Sequence, residues 1–374
     1  MLHLLHPAFL PDALRTAGAF AVVLGVLVFI HELGHYLAAR WMGVHVEAFS
    51  IGFGRALAAW TDRRGTVWKV AWLPLGGYVK LHGQEQPGDV PDEVRAAWQP
   101  GRTFHDKPVW RRAVVVAAGP VANFLLAAVV FSALTLAIGN PVPTTLVGQV
   151  MPDTPAAHAG IASGDRILSI DGKPTHSFDD IVAIVTARPG QTLPVVVERG
   201  DARLTLQATP AAKTVDGKTI GQIGITNAPE YRRVGVGAAI GDGVRQTYEV
   251  TRQTLAGVWQ IITGRRSADQ LGGVIRIAQL SGHVAQLGIA SMMTFIAVLS
   301  INLGLINLFP IPILDGGHLV FYLAEAVRGR PLPARAQEYS FRAGLAVILC
   351  LVLFSAWNDL TRLGFVRWVA GLIG

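Results

Sequence analysis

The residues best suited to chemistry form the motif HELGH at positions 31–35. A spacing of four residues places His31 and His35 on one face of a helix, where both imidazoles can bind one metal ion. Glu32 lies beside them and can take a proton from a water molecule at that metal. Residues 17–30 contain no Asp, Glu, Lys or Arg, which predicts a membrane span. Ionisable groups inside a bilayer are costly and usually functional, although a buried polar helix end without chemistry is the alternative.

A catalytic zinc site needs a third protein ligand, and Asp315 is the best candidate in this sequence. It follows the uncharged stretch 277–314, at the depth expected for the two histidines. Two prolines before it interrupt the helix, and the pair Gly316-Gly317 predicts a tight turn that brings the carboxylate inward. The alternative is that Asp315 only caps the helix that follows.

The composition is that of a membrane protein with a water-exposed part. Of 374 residues, 51% are hydrophobic and 15% are charged, whereas soluble proteins have about 25% charged residues. The single cysteine, Cys350, excludes an intrachain disulfide and a cysteine-cluster zinc site. The sequence has no basic patch interleaved with aromatic residues, and its glycine-rich pieces lack phosphate-loop spacing, so we expect neither nucleic acid nor nucleotide as a partner.

Apolar segments predict four transmembrane helices, at about 16–39, 113–139, 289–312 and 343–360. The first runs into the HELGH motif, so we expect it to be a retained span and not a cleaved signal. Lys and Arg are concentrated before the second span and between the third and fourth. The positive-inside rule then places residues 41–112 and 315–342 in the cytoplasm and residues 140–285 on the outer side.

The sequence divides into four parts. Residues 1–141 and 286–374 form the two halves of a membrane core, and residues 229–285 are expected to be linker helices. Residues 142–228 alternate short β-rich runs with turn signals and one helical pattern at 177–187, which predicts a small β-rich domain with one or two helices. The stretch 232–264 is helix-like, either on the outer membrane surface or as an ordinary linker.

HELGH at 31–35 together with NLFPIPILDGG at 307–317 resembles the site-2 protease family of intramembrane zinc metalloproteases. Further matches resemble its RseP-like bacterial branch, namely SIGFG at 50–54, LPLGGYVK at 73–80, GPVANF at 119–124 and a PDZ-like region at 142–228. The chain has room for one PDZ domain, whereas some members carry two. The resemblance implies a polytopic α-helical membrane protein with about four transmembrane helices, an inserted PDZ-like domain and a membrane-associated β-loop.

The resemblance also implies a role for each matching residue. His31, His35 and Asp315 would bind Zn²⁺, and Glu32 would be the general base. His318 would lie close to the site. Substrate would be bound by two asparagines of the third span, Asn302 and Asn307. It would also be bound by the 73–80 loop at Gly76, Gly77 and Tyr78, because the edge of a strand can pair with unwound substrate backbone. Ordinary helix–helix hydrogen bonding and a hairpin without substrate contact are the alternatives.

The expected function is therefore cleavage of single-pass membrane proteins already shortened on the outer side, such as an anti-sigma factor, or of remnant signal peptides. The enzyme would reside in the bacterial cytoplasmic (inner) membrane, with the lipid bilayer as a partner and the PDZ-like domain on the periplasmic side. A peptide groove in that domain is expected at Gly221, Ile223 and Gly224. One alternative is a non-enzymatic membrane scaffold that binds peptides through this domain. A metal transporter is another, but spans two and four supply few polar residues.

Overall fold

The structure is a computed structural model that describes residues 9–84, 90–215, 218–228, 230–267 and 272–362. It divides into two compact units. The membrane unit comprises Met1–Leu134 with Gly237–Gly374, and the β-rich unit comprises Thr135–Val236.

Among the described residues, four helices of the membrane unit are long and apolar enough to span a bilayer, as predicted: Asp12–Trp41, Val109–Ile138, Ile289–Leu308 and Ala334–Thr361. They belong to the helices α1 (Phe9–Trp41), α3 (Val109–Ile138), α8 (Ile289–Leu308) and α10 (Ala334–Arg362). The other helices of this unit are α2 (Asp92–Ala96), α6 (Val236–Ile262), α7 (Val274–Gln286) and α9 (Asp315–Arg328).

Most span boundaries differ from the expected ones by a few residues, and two of the differences have a clear cause. The third helix ends at Leu308 and not at 312, because Pro310 has no N–H to continue the hydrogen-bond ladder. The fourth begins at Ala334, directly after Pro333, and not at 343. The turns of this helix before residue 343 carry charged residues, so hydropathy alone places the start of the span too late. Long charged side chains near a helix end can extend to water while the helix continues.

Small residues bring the membrane helices close together. A Cβ on Gly34 of α1 would collide with the carbonyl of Ala118 and with the side chain of Ala122, both in α3. A Cβ on Gly304 of α8 would lie 3.2 Å from the carbonyl oxygen of Pro120 in α3. Such contacts are typical of helices that pack inside a bilayer, where close van der Waals approach replaces the hydrophobic effect. They draw α1, α3 and α8 into one bundle.

Two long strands, β1 (Val46–Thr61) and β2 (Val67–Leu81), form the predicted β-loop. They pair twice, because Ala48 lies opposite both Val67 and Lys80. The first half of β1 is therefore flanked on both sides by β2. Phe49 is fully buried there and stacks on Trp68 with ring centroids 4.4 Å apart. The second half of β1 is exposed.

The described residues of the β-rich unit form ten short strands and two helices. The strands are β3 (Asn140–Val142), β4 (Val147–Val150), β5 (Arg166–Ile170), β6 (Lys173–Pro174), β7 (Leu193–Arg199), β8 (Ala202–Ala208), β9 (Ala211–Val215), β10 (Lys218–Gln222), β11 (Ile225–Asn227) and β12 (Glu230–Arg232). The helices are α4 (Pro155–His158) and α5 (Phe178–Thr186). The largest sheet has the strand order β6-β5-β7-β8.

The core of this unit is aliphatic. Ile167, Ile170, Ile181 and Val197 are almost completely buried in one cluster with side chains from β5, β7 and α5. The helix α5 begins with a capping box in which Ser177 and Asp180 satisfy each other's backbone N–H. The side chains of β7 alternate between buried and partly buried positions, as expected for a strand with one face against the core.

Candidate metal centre

Three ligand atoms converge inside the membrane unit. Nε2 of His31 lies 3.2 Å from Oδ2 of Asp315, and Nε2 of His35 lies 3.4 Å from the same oxygen. The two Nε2 atoms are 3.3 Å apart. His31, His35 and Asp315 are the one group of this kind among the described residues that could hold a metal ion. The structure thus brings together the two motifs that lie 280 residues apart in the sequence.

The two histidines are positioned by the contact between α1 and α3. A Cβ on Gly119 of α3 would lie 2.9 Å from Cε1 of His31 and would overlap the ring of His35. Only glycine leaves room for both rings at this position. The HELGH helix supplies the ligand spacing, and the glycine on the facing helix supplies the space that the rings occupy.

Asp315 is placed by the close return of the chain after α8. It is the first residue of α9 and directly follows the N-cap residue Leu314. A Cβ on Gly316 would collide with the carbonyls of Leu308 and Phe309, and one on Gly317 would lie 2.5 Å from Cα of Pro312. The predicted tight turn at Gly316-Gly317 was therefore wrong in detail. These glycines lie at the start of a helix, and they are needed because no side chain fits there.

The donor set fits a zinc ion. Nδ1 of His35 lies 2.9 Å from the carbonyl oxygen of Val115, which can only accept, so Nδ1 carries the proton and Nε2 presents a lone pair. Oδ2 of Asp315 is buried and has no hydrogen-bond donor among the described residues. Tetrahedral zinc with bonds of about 2.0–2.2 Å separates its ligand atoms by roughly 3.3–3.5 Å, close to the distances found here.

Glu32 lies next to this cluster and contacts β2. It accepts a hydrogen bond from the backbone of Val79. A Cβ on Gly77 would lie 3.1 Å from Cγ of Glu32 and 2.8 Å from Cγ1 of Val28, so the strand approaches α1 where it has no side chain. The sequence places glycine where the strand passes the carboxylate.

A cavity of about 600 Å³ connects these residues. It is lined by His31, Glu32, His35 and Asp315. Residues of the connecting segments at 84, 104–105 and 331–332, and the α10 residues 337 and 341, also line it. Arg112 and Glu325 also line it and form an ion pair with Nη2 and Oε1 2.6 Å apart. The cavity is large enough for a peptide segment, because typical ligand pockets have volumes of about 300–1,000 Å³.

The sequence pattern of Peptidase family M50 matches residues 19–351 of the chain. The chain belongs to Peptidase family M50. A zinc metalloprotease relative from Rhizobium meliloti is 47% identical over 370 residues, which cover 95% of this chain and 97% of the relative. Metalloprotease MmpA from Caulobacter vibrioides is 41% identical, with 94% of this chain and 96% of the relative covered. Zinc metalloprotease RasP from Geobacillus kaustophilus is 33% identical, with 94% and 99% covered.

A crystal structure of the PDZ domain of an SdrC-like protein from Listeria monocytogenes is 28% identical to part of the chain. It covers 24% of this chain and 92% of that one, with a TM-score of 0.20.

The M50 peptidase is therefore a zinc metalloprotease and a multi-pass membrane protein. The family, fold class, enzyme class and zinc dependence predicted from the sequence are confirmed. The interpretation as a non-enzymatic scaffold is wrong, because the match to a peptidase family spans most of the chain.

The M50 peptidase brings some of the expected substrate residues to the cavity and not others. Gly77, Tyr78 and Asn307 line it, and Nδ2 of Asn307 lies 3.5 Å from Nε2 of His31. Asn302 does not line it, because its Oδ1 accepts a hydrogen bond from Oγ1 of Thr254 at 3.2 Å. Gly76, with φ of +128°, faces the ring of Phe53 and is also absent from the lining.

The remaining histidines have other surroundings. His318 lines the cavity and packs against the ring of Phe341, with centroids 5.6 Å apart. Nδ1 of His82 contacts Glu47 at 2.8 Å, and its Nε2 accepts from the N–H of Gln99 at 2.9 Å. Both ring nitrogens of His82 are thus used in structural contacts.

The residues expected to form a peptide groove lie along one depression in the β-rich unit. Gly221, Ile223 and Gly224 line a pocket of about 290 Å³ together with side chains of α5, including Phe178. A Cβ on Gly221 would collide with the carbonyl of Val185, so β10 lies directly against the end of α5. The pocket is narrow at that position.

Sequence reasoning missed three contributors to the metal centre. Gly119, Val115 and Asn123 all lie on α3 and contact the histidine rings. The sequence GPVANF at 119–124 was noticed as a family resemblance, without a role for any of its residues. A glycine and an asparagine four residues apart on an apolar helix are the one signal that could have identified them.

Proposed function

We propose that this M50 peptidase cleaves the transmembrane segments of single-pass membrane proteins, with zinc held by His31, His35 and Asp315. The observation that carries the proposal is the convergence of three ligand atoms, 3.2–3.4 Å apart, beside Glu32. His31 lies ten residues before the end of the span Asp12–Trp41, which is about 15 Å along a helix. The scissile bond must therefore reach the site at membrane depth.

In the proposed reaction, Glu32 is the general base. Bound zinc supplies Lewis-acid activation of the scissile carbonyl and of the attacking water. Glu32 takes a proton from that water and delivers it to the nitrogen of the leaving amine, a transfer that contributes about 10²–10⁴-fold to such rates. The hydrogen bond from the backbone of Val79 holds its carboxylate in the cavity.

Substrate backbone is proposed to add along the edge of β2 that lines the cavity. A transmembrane helix must unwind before a peptide bond can be attacked, and unwound backbone in a bilayer needs hydrogen-bond partners. Gly77, Tyr78 and Val79 present a strand edge beside Glu32, and no further strand pairs with it in the described part of the chain. Asn307 offers a side-chain amide at the same cavity.

The proposed location is the bacterial cytoplasmic membrane, with the β-rich unit on the periplasmic side. The support is the concentration of Lys and Arg before α3 and between α8 and α10. In a variant that lacks Cys350, we expect Ser163→Cys to react with a membrane-impermeant thiol reagent from outside and Arg330→Cys to stay unlabelled. The reverse pattern would overturn this orientation.

The β-rich unit is proposed to select substrates and not to take part in chemistry. All four residues assigned to metal and base lie outside residues 142–228. Deleting this segment should leave zinc bound and permit cleavage of substrates that still carry large outer domains. A folded, zinc-loaded deletion variant that cleaves nothing would instead make the segment part of the catalytic machinery. Cleavage of shortened substrates alone would mean that the filter lies elsewhere.

The decisive experiment compares Glu32→Gln with the parent chain on candidate single-pass substrates in proteoliposomes. The amide has nearly the same size but cannot accept the proton, so cleavage should fall by about 10²–10⁴-fold while zinc content is unchanged. Glu338→Gln is the matched control, because Glu338 is exposed and pairs with Arg342 one turn away. Cleavage by Glu32→Gln within tenfold of the parent would remove Glu32 from this role.

A further inference from the structure

Asn123 of α3 is completely buried beside the metal centre. Its side-chain amide lies 3.1 Å from Nδ1 of His31, with Nδ2 as the atom placed nearest. Its Oδ1 is buried and has no hydrogen-bond partner among the described residues. A buried amide oxygen without a donor has lost its hydrogen bonds to water and gained none from the protein, so this arrangement needs an explanation.

The protonation pattern that zinc binding requires of His31 explains the unpartnered Oδ1 of Asn123. Nε2 is the ring atom that faces His35 and Asp315, so it must be unprotonated to bind zinc. The proton of the neutral ring is then on Nδ1, which becomes a donor and requires an acceptor. The nitrogen of an amide cannot accept. Because the two ends of an Asn amide have nearly the same shape, turning it by 180° presents Oδ1 to Nδ1 and removes the unpartnered oxygen.

The partner histidine already has this arrangement. Nδ1 of His35 lies 2.9 Å from the carbonyl oxygen of Val115, eight residues earlier on the same helix as Asn123. One face of α3 thus supplies an acceptor to each ligand ring. Metal-binding histidines commonly donate their second N–H to such a group, which fixes the tautomer and the direction of the ring.

Asn123 is itself held in place. Its backbone carbonyl accepts a hydrogen bond from Oγ of Ser300 at 2.8 Å, which ties this turn of α3 to α8. A Cβ on Gly304 of α8 would lie 3.4 Å from its Cβ. The backbone and Cβ of Asn123 are therefore held against α8, which restricts where its side-chain amide can lie.

We propose that Asn123 is a positioning residue whose Oδ1 accepts the Nδ1–H of His31 and thereby holds Nε2 toward the zinc ion. This inference rests on the proposed role of His31 as a metal ligand. Asn123 touches neither zinc nor substrate in this account. Its effect is on the affinity for metal.

The test measures zinc affinity by competition with a chelator in detergent-solubilised full-length protein. Asn123→Leu keeps the approximate volume without an acceptor and should weaken zinc binding by about 10–100-fold. Asn123→Asp keeps the acceptor and should stay within about threefold of the parent, since carboxylates are common partners of metal-bound histidine. Ser132→Ala is the control on the same helix, because that hydroxyl donates to the carbonyl of Ala128 within α3, and the change should leave the affinity unchanged.

A second measurement does not depend on any Asn123 variant folding. In zinc-loaded parent protein with ¹⁵N-labelled histidine, the nitrogen spectrum should assign the His31 proton to Nδ1. A proton on Nε2 of His31 would overturn the proposal. So would unchanged zinc affinity in a folded Asn123→Leu variant, or equal losses in Asn123→Asp and Asn123→Leu.

His31→Ala separates this inference from the proposed function. If His31→Ala still binds zinc with the parent affinity, the ligand assignment itself fails and the role of Asn123 fails with it. If His31→Ala loses zinc but Asn123→Leu does not, the ligand assignment stands and only the role of Asn123 is wrong.

Discussion

Two buried aspartates, Asp165 in the β-rich unit and Asp315 in the membrane unit, have opposite surroundings. In the β-rich unit, the side chain of Asp165 is fully buried and accepts hydrogen bonds from the N–H of Ala162 and from Nε and Nη2 of Arg199. In the membrane unit, Oδ2 of Asp315 and Oδ1 of Asn123 are buried with no donor among the described residues. The protein thus supplies hydrogen-bond donors to both carboxylate oxygens of Asp165, but none to Oδ2 of Asp315.

The difference separates structural from functional burial. A buried carboxylate that collects N–H donors contributes to the fold, because its loss of water is offset locally. A buried carboxylate oxygen that faces two imidazole nitrogens has no such compensation from the chain and fits a cation instead. Among the described side chains, the buried acceptor atoms without a hydrogen-bond partner are Oδ2 of Asp315 and Oδ1 of Asn123, and both lie at the metal centre. The remaining buried atom without a partner is Nε of Arg111, which is a donor.

The largest expected effect comes from removing the charge of Asp315. Asp315→Asn should lower zinc affinity by more than the roughly 10–100-fold typical of an outer-shell change, and it should abolish proteolysis. The metal-free protein should melt at the same temperature or higher, because an uncompensated buried charge is removed. Zinc content by plasma mass spectrometry and melting after chelation measure both. A full equivalent of zinc in purified Asp315→Asn would contradict the assignment.

A smaller effect on zinc affinity is expected when a methyl group is added at Gly119, and Gly221 in the β-rich unit provides the matched comparison. Gly119→Ala places a methyl group against the rings of both histidines, so zinc affinity should fall about tenfold or more and stability by about 1–3 kcal/mol. Gly221→Ala places one against Val185 in the β-rich unit and should leave zinc affinity unchanged. Chelator competition on both variants tests the contrast. Equal zinc affinities would show that the metal unit tolerates the added methyl.

The smallest effect concerns pH. Burial raises the pKa of Asp165, but the hydrogen bonds from Arg199 and Ala162 outweigh it and hold the pKa below the ordinary 3.8. A carboxyl whose folded pKa is depressed contributes stability that is present above its unfolded pKa and is lost as pH falls through the folded value. We expect amide exchange in β5 and β7 to accelerate below about pH 4, after correction for the intrinsic rate. Asp165→Asn should exchange faster at neutral pH and show a flatter acid dependence.

The sequence alone predicts those parts of the site that depend on the helical repeat or on the depth of a residue in the membrane. HELGH places two rings on one helix face, and the length of the apolar runs predicts that Asp315 reaches the same level. The same helical repeat also predicts that the two asparagines of the third span lie on different faces of the helix. Asn302 and Asn307 are five residues apart, which is about 140° around a helix, so both cannot face one cavity. The structure turns Asn302 toward Thr254 instead.

The rest of the site depends on contacts between distant segments, which no local pattern contains. Val115 and Asn123 act on the histidines only because Gly34 and Gly119 allow α1 and α3 to touch. The double pairing of β1 with β2 similarly depends on a chain that folds back on its own hairpin. Alternation predicts strands but does not predict that one strand is paired on both sides.

That double pairing has a consequence for the substrates that the enzyme prefers. Because the first half of β1 is flanked on both sides by β2, the edge at Gly77, Tyr78 and Val79 is left to face the cavity. A chain laid along that edge would turn successive side chains to opposite faces. Preferences in a scanned library of transmembrane substrates should therefore recur at every second position around the cut, while the residues between them are exchanged with little effect on cleavage.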